Sequence, residues 1–407
     1  MIARWQENEV LSSLKNFRVV NLTGARQCGK TTLSNMLSLP QTRRFALDND
    51  ETRKAAANDP YGFVYRRGNE TFIIDEIQKV PELLNAIKMR VDNDNAKGQY
   101  LLTGSSNLHF VKAVSDSLAG RIGRVRLRTL SLGERLGGNG DFLDRAFKRD
   151  FPDVIPGFNK RKIIGLASES GYPEAMDLDV RFRRKWFLAY LDNLLVKDIR
   201  DVTEIRKLEV LRKIAQWLLS YSSKFFEISE LAAKVGVGKA TVEAYIAALK
   251  ALYLFDEVPP WTKGDYSRIG KRSKYFASDA GLVANILEWD EESIYMNDDR
   301  SGKVVETWVY QNLASLADLG YDYEISQYRD SKKREIDFIV ERLDGAMLGI
   351  EVKSGSSFSA EDFKHLKWFA ANLAGERQFT GIVLYSGEQT LRFGEGFYAV
   401  PLAALGA

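Results

Sequence analysis

The chain contains very little cysteine and histidine. Its 407 residues include one cysteine, Cys28, and two histidines, His109 and His365. A single cysteine excludes an intramolecular disulfide. The two histidines do not have the spacing of a metal site, so we expect both to be ordinary surface or loop residues.

Long apolar runs and a strong charge imbalance are also missing. No run approaches the roughly 18–20 apolar residues that span a bilayer. The first ten residues lack the apolar core of a signal peptide. We therefore expect a cytoplasmic protein with no membrane partner. The net charge of +3 gives no whole-molecule argument for nucleic acid, so contact with DNA or RNA would have to depend on a local patch.

The first third of the chain alternates strand-like and helix-like segments. Apolar runs at 17–23, 71–75 and 98–105 end in small or polar residues, and apolar spacing of three and four lies at 31–39 and 81–93. Strands that alternate with helices predict a parallel sheet covered on both faces.

The sequence predicts a phosphate-binding loop between the first strand and the first helix of this part. GARQCGKTT at 24–32 fits G-x-x-x-x-G-K-[ST] at every fixed position. Gly24 and Gly29 permit the tight loop whose N–H groups surround phosphates. Lys30 is expected to reach the β- and γ-phosphates, and the Thr31 hydroxyl to ligate Mg²⁺. The other nucleotide-binding positions that we assign are Gln27, Cys28 and Thr32. The predicted cofactors are ATP and Mg²⁺.

Two carboxylates end the next apolar strand, FIIDEI at 72–77. Asp75 is expected to complete the coordination of Mg²⁺. Glu76 is expected to orient or deprotonate the attacking water. These roles predict hydrolysis of ATP rather than binding alone.

Less specific candidates follow the third strand. YLLTGSSN at 100–107 ends in hydroxyls and an amide, and Ser105 or Asn107 is a candidate sensor of the γ-phosphate; a simple turn is the alternative. In 118–134, Arg121 is the candidate charge-stabilising arginine. It would act in its own subunit or across the interface of a homo-oligomer, and a basic strand face is the alternative.

At these residues a resemblance becomes definite. The segment 17–134 resembles the AAA-type ATPases of many bacterial and archaeal proteins known only as ATP-binding, in which a P-loop, a D-E strand, a T-G-S-S strand and an L-x-G-R segment occur in this order. The chain continues with SGYPEA at 170–175 and a helix-rich stretch, which is similar to the uncharacterised domain that follows this ATPase. The resemblance implies an AAA+ core and leaves the biological role open.

The middle of the chain predicts helices. Apolar periodicity at 186–202 and 208–222 indicates amphipathic helices. In 228–258, two short helices flank a turn at Gly236 and a strand follows, which is the signature of a helix-turn-helix with a wing.

The second of these helices would present polar side chains to a nucleic-acid groove. They are Lys239, Thr241 and Glu243, with a basic flank at 263–276 that could contact phosphates. The alternative is a packing unit with no nucleic-acid role, which the acidic Glu243 favours. The acidic segment 285–302 is expected to be a linker.

The last part of the chain carries four residues in a recognisable order. Glu306 lies in a predicted helix, Asp337 in a predicted strand, and Glu351 and Lys353 on one face of the next strand because their spacing is two. This order resembles the restriction-endonuclease-like fold, with its helix Glu, strand Asp and E-x-K.

The resemblance implies a chemistry for these four residues. Asp337 and Glu351, helped by Glu306, would hold one or two Mg²⁺ ions, and Lys353 would stabilise the attacking hydroxide or the phosphate charge. The alternative is a fold of this kind that binds nucleic acid or a protein and catalyses nothing.

The sequence thus predicts a multidomain α/β protein. Its expected parts are an AAA+ P-loop core (1–135), a helical lid or linker (136–225), a winged-helix domain (226–285) and a nuclease-like α/β domain (300–407). The first functional hypothesis is an ATPase coupled to a metal-dependent nuclease. The second is a regulatory nucleotide switch with an inactive nuclease-like domain, and a third is an interaction module in phage defence or a toxin–antitoxin pair.

Overall fold

The computed structural model describes most of the chain. The described residues are 2–66, 68–104, 118, 120–202, 207–264, 272–320 and 322–406.

A five-stranded parallel sheet forms the centre of the first part, in the order β2-β3-β4-β1-β5. Its strands are β1 (Val19–Thr23), β2 (Thr42–Ala46), β3 (Thr71–Asp75), β4 (Tyr100–Gly104) and β5 (Ile122–Arg126). The accompanying helices are α1 (Gln6–Asn16), α2 (Lys30–Met36), α3 (Asp50–Asn58), α4 (Pro60–Phe63) and α5 (Glu82–Asn93). The prediction of a parallel sheet with helices is confirmed.

The burial of each strand explains whether it could be predicted from the sequence. Strands β1 and β4 are buried along their whole length, and β3 is buried up to its last residue. Strands covered on both faces read as continuous apolar runs. Strand β2 lies at the edge and leaves Arg43 and Arg44 exposed, so it shows no such run and was not predicted.

The helices that follow the sheet join the two halves of the molecule. They are α6 (Leu132–Leu136), α7 (Phe142–Lys148), α8 (Lys160–Glu169), α9 (Pro173–Met176) and α10 (Val180–Val196), with a 3-10 turn at Asp198–Asp201. Helices α7 and α8 pack on elements near the C-terminus of the chain. The segment is helical, as predicted, but part of it belongs to the C-terminal core.

A compact unit of three helices and a hairpin comes next. It comprises α11 (Leu208–Ser220), α12 (Ile228–Val235), α13 (Lys239–Ala251), β6 (Phe255–Val258) and β7 (Lys274–Ala277). Gly236 ends α12 with a φ of 70°, a left-handed conformation that glycine adopts without strain. Strands β6 and β7 pair antiparallel.

The C-terminal part is a six-stranded mixed sheet in the order β12-β13-β11-β10-β9-β8. The strands are β8 (Tyr323–Arg329), β9 (Glu335–Arg342), β10 (Met347–Lys353), β11 (Phe379–Tyr385), β12 (Leu391–Arg392) and β13 (Phe397–Pro401). Its helices are α14 (Ala280–Ile286), α15 (Glu291–Tyr295), α16 (Asp298–Ala317) and α17 (Lys364–Phe369).

The acidic segment 285–302 is not a linker. It contains α15 and the first turn of α16, and its polar residues cap these helices: the Asp290 side chain accepts from the Ser293 N–H, and the Asn297 side chain accepts from the Arg300 N–H. Asp and Asn are favoured at helix N-termini because they satisfy free N–H groups there. The polar composition was therefore a capping signal that we interpreted as a linker.

None of the described helices has both the length and the apolar character that crossing a bilayer requires.

A nucleotide cavity and an acidic cleft

The phosphate-binding loop connects β1 to α2 through left-handed backbone. Gly24 and Gly29 have φ values of 150° and 103°, and Gln27 has 60°. A Cβ atom on Gly24 would lie 2.0 Å from the Leu127 carbonyl oxygen, so no larger residue fits. The Cys28 side chain is buried and donates to the same carbonyl over 3.4 Å, which leaves only its backbone to face a nucleotide.

Lys30 and Thr31 start helix α2, next to the end of β3 at Asp75. The buried Lys30 ammonium donates to the carbonyl oxygens of Gly24 (3.0 Å) and Ala25 (2.8 Å). The Thr31 hydroxyl donates to Asp75 Oδ2 over 2.8 Å, and the Thr103 hydroxyl donates to the other oxygen of that carboxylate. A hydroxyl next to a carboxylate matches the protein ligands that hold Mg²⁺ with bound phosphates.

Glu76 adopts a backbone conformation that is unusual for glutamate. Its φ and ψ are 58° and 46°, a left-handed conformation whose cost is typically about 1–3 kcal/mol and which occurs often at functional sites. Burial raises the pKa of its carboxyl, although a hydrogen bond from the Gln78 side chain and the nearby Lys30 ammonium partly offset this. A raised pKa makes the carboxylate a stronger base.

Lys30, Thr31 and Glu76 line one cavity of about 720 Å³. Its polar lining includes Arg26, Gln27, Lys30, Thr31, Thr32, Asp48 and Glu76. Its apolar lining comprises Ile2, Leu33, Met36, Leu130, Pro173 and Met176. The cavity therefore offers both charged groups and apolar side chains that an aromatic base can contact.

Arg26 is a functional candidate that the sequence analysis missed. Its guanidinium lies 2.6 Å from Asp198, in the 3-10 turn that follows α10. The neighbouring Gln27 side chain donates to Glu174 over 3.4 Å. The phosphate-binding loop thus contacts the helical segment directly. The sequence signal that could have revealed Arg26 is a cationic residue at one of the unspecified positions of the P-loop motif.

Arg121 does not lie in this cavity. It immediately precedes β5, and the parallel register pairs Val19 with Ile122 and Thr23 with Arg126. Five residues of strand, about 16 Å at 3.3 Å each, therefore separate Arg121 from the end of β1 where the phosphate-binding loop begins. Its side chain forms an ion pair with Asp92.

This position does not favour a role for Arg121 in its own subunit; that role and the one across a subunit interface both stay predictions. The strand-face alternative describes its position better. Ser105, Asn107 and His109 lie outside the described residues.

An acidic cluster, called the acidic cleft below, surrounds Lys274 of β7 and draws its carboxylates from α16 and β9. The Lys274 ammonium, 1% exposed, lies 3.0 Å from Glu306, 2.8 Å from Glu335 and 3.3 Å from Asp337. Burial alone lowers the pKa of this ammonium, but the three carboxylates outweigh burial and hold the pKa well above its usual range. Lys274 comes from β7, outside the C-terminal sheet.

The remaining charged groups of the predicted nuclease site also have partners within the protein. The Lys353 ammonium lies 3.1 Å from Glu351 and 3.2 Å from Asp362, and Asp337 Oδ2 accepts from the Val352 N–H over 2.9 Å. Burial raises the pKa of Glu351 well above its usual range. Burial, with the Asp337 charge, raises the pKa of Glu306 to about 7.

The expected metal site at Glu306, Asp337 and Glu351 is not formed. Throughout the part of the chain that the structure describes, no group of three or more His, Cys, Asp or Glu side chains is arranged to hold a metal ion. The physical reason is that Lys274 and Lys353 already neutralise these carboxylates. The site does not fit a divalent cation, and we derive no nuclease chemistry from it.

The candidate groove-reading residues on α13 are in place but partly neutralised. Lys239 and Glu243 are exposed and form an ion pair of 3.6 Å along the helix, while Thr241 is half-buried. A lysine that is paired with a carboxylate has less attraction for a phosphate backbone.

Three known families match successive parts of the chain. Residues 16–136 match an AAA domain, residues 160–293 a domain of unknown function (DUF8612) and residues 301–405 another domain of unknown function (DUF4143). The first part of the chain is thus an AAA-type P-loop ATPase domain.

Two curated relatives resemble nearly the whole chain. They are the uncharacterized proteins Rv2008c of Mycobacterium tuberculosis and Mb2031c of Mycobacterium bovis; each is 28% identical over 392 residues, which cover 94% of this chain and 80% of the relative.

Solved structures are similar only at a coarse level. The Walker-type ATPase PABY2304 of Pyrococcus abyssi has a TM-score of 0.39 at 15% identity, over 70% of this chain and 94% of that one. The RuvB Holliday junction branch migration motor of Thermotoga maritima has a TM-score of 0.28 at 20% identity, over 63% and 90%. Scores this low carry no argument about function.

Proposed function

We infer that this chain hydrolyses ATP in the cavity beside the P-loop and that the nucleotide state changes the contacts between the ATPase domain and the helical segment. The observation that carries this proposal is the convergence of Lys30, Thr31, Arg26 and Glu76 in one cavity whose far wall, Pro173 to Asp177, belongs to another part of the chain.

Each polar residue of the cavity has a step in the proposed reaction. Lys30 exchanges its two loop carbonyls for the β- and γ-phosphates, and Thr31 with Asp75 holds the Mg²⁺ that accompanies ATP. When bound, that ion neutralises phosphate charge and orients the γ-phosphate. Glu76 orients the attacking water and accepts its proton, and the raised pKa supports that role.

Arg26 is the charge-stabilising arginine of this proposal, in place of Arg121. It lies on the phosphate-binding loop itself and in the same cavity as Lys30 and Glu76, so it needs no partner subunit. Its release from Asp198 on phosphate binding is the step that transmits the nucleotide state. Developing negative charge on the transferred phosphoryl group favours a guanidinium close to it.

Buried ion pairs offer a route for such a signal beyond the helical segment. Arg126, at the end of β5, lies 2.7 Å from Asp256 of β6. Arg128 pairs with the same carboxylate and lies 2.6 Å from Asp318, just after α16. A movement of the parallel sheet relative to these elements would break buried pairs, which is costly, so the parts are expected to move together.

For the remaining parts we infer recognition rather than catalysis. The unit from α11 to β7 has the element order of a winged helix, and the C-terminal part retains a helix Glu, a strand Asp and an E-x-K strand without an open metal position. The chain is therefore proposed to be a nucleotide switch with a nuclease-like interaction domain. The Lys239–Glu243 pair does not favour DNA contact.

The deciding experiment measures ATP turnover by the purified chain with and without single- and double-stranded DNA and RNA, and follows each nucleic acid on a gel. The proposal expects turnover that Glu76→Gln abolishes, and intact nucleic acid in every lane. Wild-type protein that binds ATP and never turns it over would contradict hydrolysis. Cleavage that requires a divalent ion would contradict the inactive nuclease-like domain.

A further inference from the structure

Lys274 places an ammonium where three carboxylates converge. Its Nζ lies 2.8–3.3 Å from Glu335, Glu306 and Asp337, and its side chain is 1% exposed. An ammonium has three N–H donors and no acceptor, so three carboxylates can satisfy it completely. A buried charge without such partners would be strongly unfavourable.

The same position is where a divalent cation would be needed if the lysine were absent. Buried carboxylates this close repel one another unless a proton or a cation lies between them. The ammonium supplies that cation from within the chain. The site is also largely closed to solvent, because Glu306 is 9% and Asp337 12% exposed at the side chain.

The lysine and its partners come from different parts of the molecule. Lys274 opens β7 of the hairpin, whereas its partners belong to α16 and β9 of the C-terminal part. Neutral contacts also join the unit from α11 to β7 to the C-terminal part. The hydroxyls of Ser222 and Thr307 lie 2.7 Å apart. The backbone N–H of Trp261 donates to the Gln327 carbonyl over 2.6 Å.

We propose that Lys274 is the built-in cation of this cleft, that it excludes divalent metal and joins the hairpin unit to the C-terminal sheet, and that its removal creates a divalent-cation site at Glu306, Glu335 and Asp337. The inference does not depend on ATP hydrolysis. It assigns a role to a residue 32 positions from Glu306 and 63 from Asp337 in the chain.

The test uses Mn²⁺ as the probe and the full-length, nucleotide-free chain. Every variant also carries Asp75→Asn, which removes the contribution of the nucleotide cavity. Bound Mn²⁺ is counted by loss of the free-ion electron paramagnetic resonance signal. Without Lys274→Met the protein should bind no Mn²⁺. With Lys274→Met it should bind about one ion per chain, and its melting temperature should rise on adding Mn²⁺.

Adding Asp337→Asn to Lys274→Met should abolish that binding. Two results would overturn the proposal: Mn²⁺ uptake that Asp337→Asn abolishes while Lys274 is intact, or a folded Lys274→Met protein that takes up none.

A further measurement decides the matter if Lys274→Met fails to fold. Asp337→Asn alone, with Lys274 intact and metal absent, should lower the melting temperature because it removes an ammonium partner. If the carboxylates instead need a bound metal ion to balance their charge, the same change relieves repulsion between them in the metal-free protein. The melting temperature should then stay the same or rise. The second outcome would refute the role of Lys274.

Discussion

The contact between Arg26 and Asp198 offers the sharpest test of the proposed switch. The guanidinium and the carboxylate lie 2.6 Å apart, with 44% and 12% of their side chains exposed. Phosphate in the cavity and Asp198 compete for the same cation. Asp198→Ala should free Arg26 for the nucleotide, whereas Arg26→Ala removes the cation altogether.

The expected size of each effect follows from this exposure. A partly exposed pair of this kind contributes about 0.5–1 kcal/mol, so its loss in Asp198→Ala should tighten ATP binding by about two- to fivefold. Loss of a group that stabilises transition-state charge typically lowers kcat by about 100- to 1000-fold. Arg26→Ala should therefore affect kcat far more than the Kd for ATP.

The assay pairs steady-state turnover with titration of a fluorescent ATP analogue, for both single variants and the double variant. Arg121→Ala is the matched comparison, because it removes an arginine from the opposite edge of the same sheet. If Arg121 acts across an interface, mixing that variant with Glu76→Gln protein should partly restore turnover, and no mixture should rescue Arg26→Ala. Unchanged kcat in Arg26→Ala would refute the assignment.

Three other measurements test the rest of the reasoning. Lys30→Ala should abolish tight ATP binding in the same titration, because the phosphates lose their cationic partner. Glu76→Gln, in contrast, should bind ATP and not turn it over. Normal turnover by Glu76→Gln would show that Glu76 takes no part in the reaction. Since burial raises the pKa of Glu76 and the ionised form is the base, kcat should fall on acidification with a midpoint above the ordinary 4.5, and a rate that stays flat to that pH would contradict this. Asp256→Ala should lower the free energy of unfolding in urea by about 3 kcal/mol, because it removes the carboxylate that the half-buried Arg126 and the buried Arg128 share and leaves Arg128 with Asp318. A loss below about 1 kcal/mol would show that the cluster contributes little.

The parts of the fold that the sequence predicted are those whose requirements lie in consecutive residues. The phosphate-binding loop at 24–32 needs glycine at positions with positive φ and a lysine at the start of a helix, and both needs are visible in the sequence. Strands β1, β3 and β4 are buried on both faces and appear as apolar runs. The edge strand β2 faces solvent and carries no such pattern.

The positions of Arg121 and Lys274 depend on contacts between residues distant in the chain. Arg121 was selected by its place in a motif, but strand register decides which end of the sheet a residue occupies, and that register is not local information. Lys274 was only part of a basic flank in the sequence. Nothing nearby in the chain indicates that its ammonium meets Glu306 and Asp337, because those carboxylates belong to another sheet and helix.

The two carboxylate sites in this chain differ in the groups that face them. Asp75 receives hydrogen bonds from the neutral hydroxyls of Thr31 and Thr103, and among the described residues it forms no ion pair, so an incoming cation would gain from its charge. Glu306 and Asp337 face the Lys274 ammonium, so a divalent ion would have to displace a buried, fully bonded charge. Similar acidic residues therefore offer an accessible carboxylate near the phosphate-binding loop and a closed cluster in the C-terminal part. The group that faces the carboxylates, and not the carboxylates themselves, decides whether a cation can bind. Replacing Lys274 with a neutral residue should therefore be sufficient to let the acidic cleft bind a divalent ion.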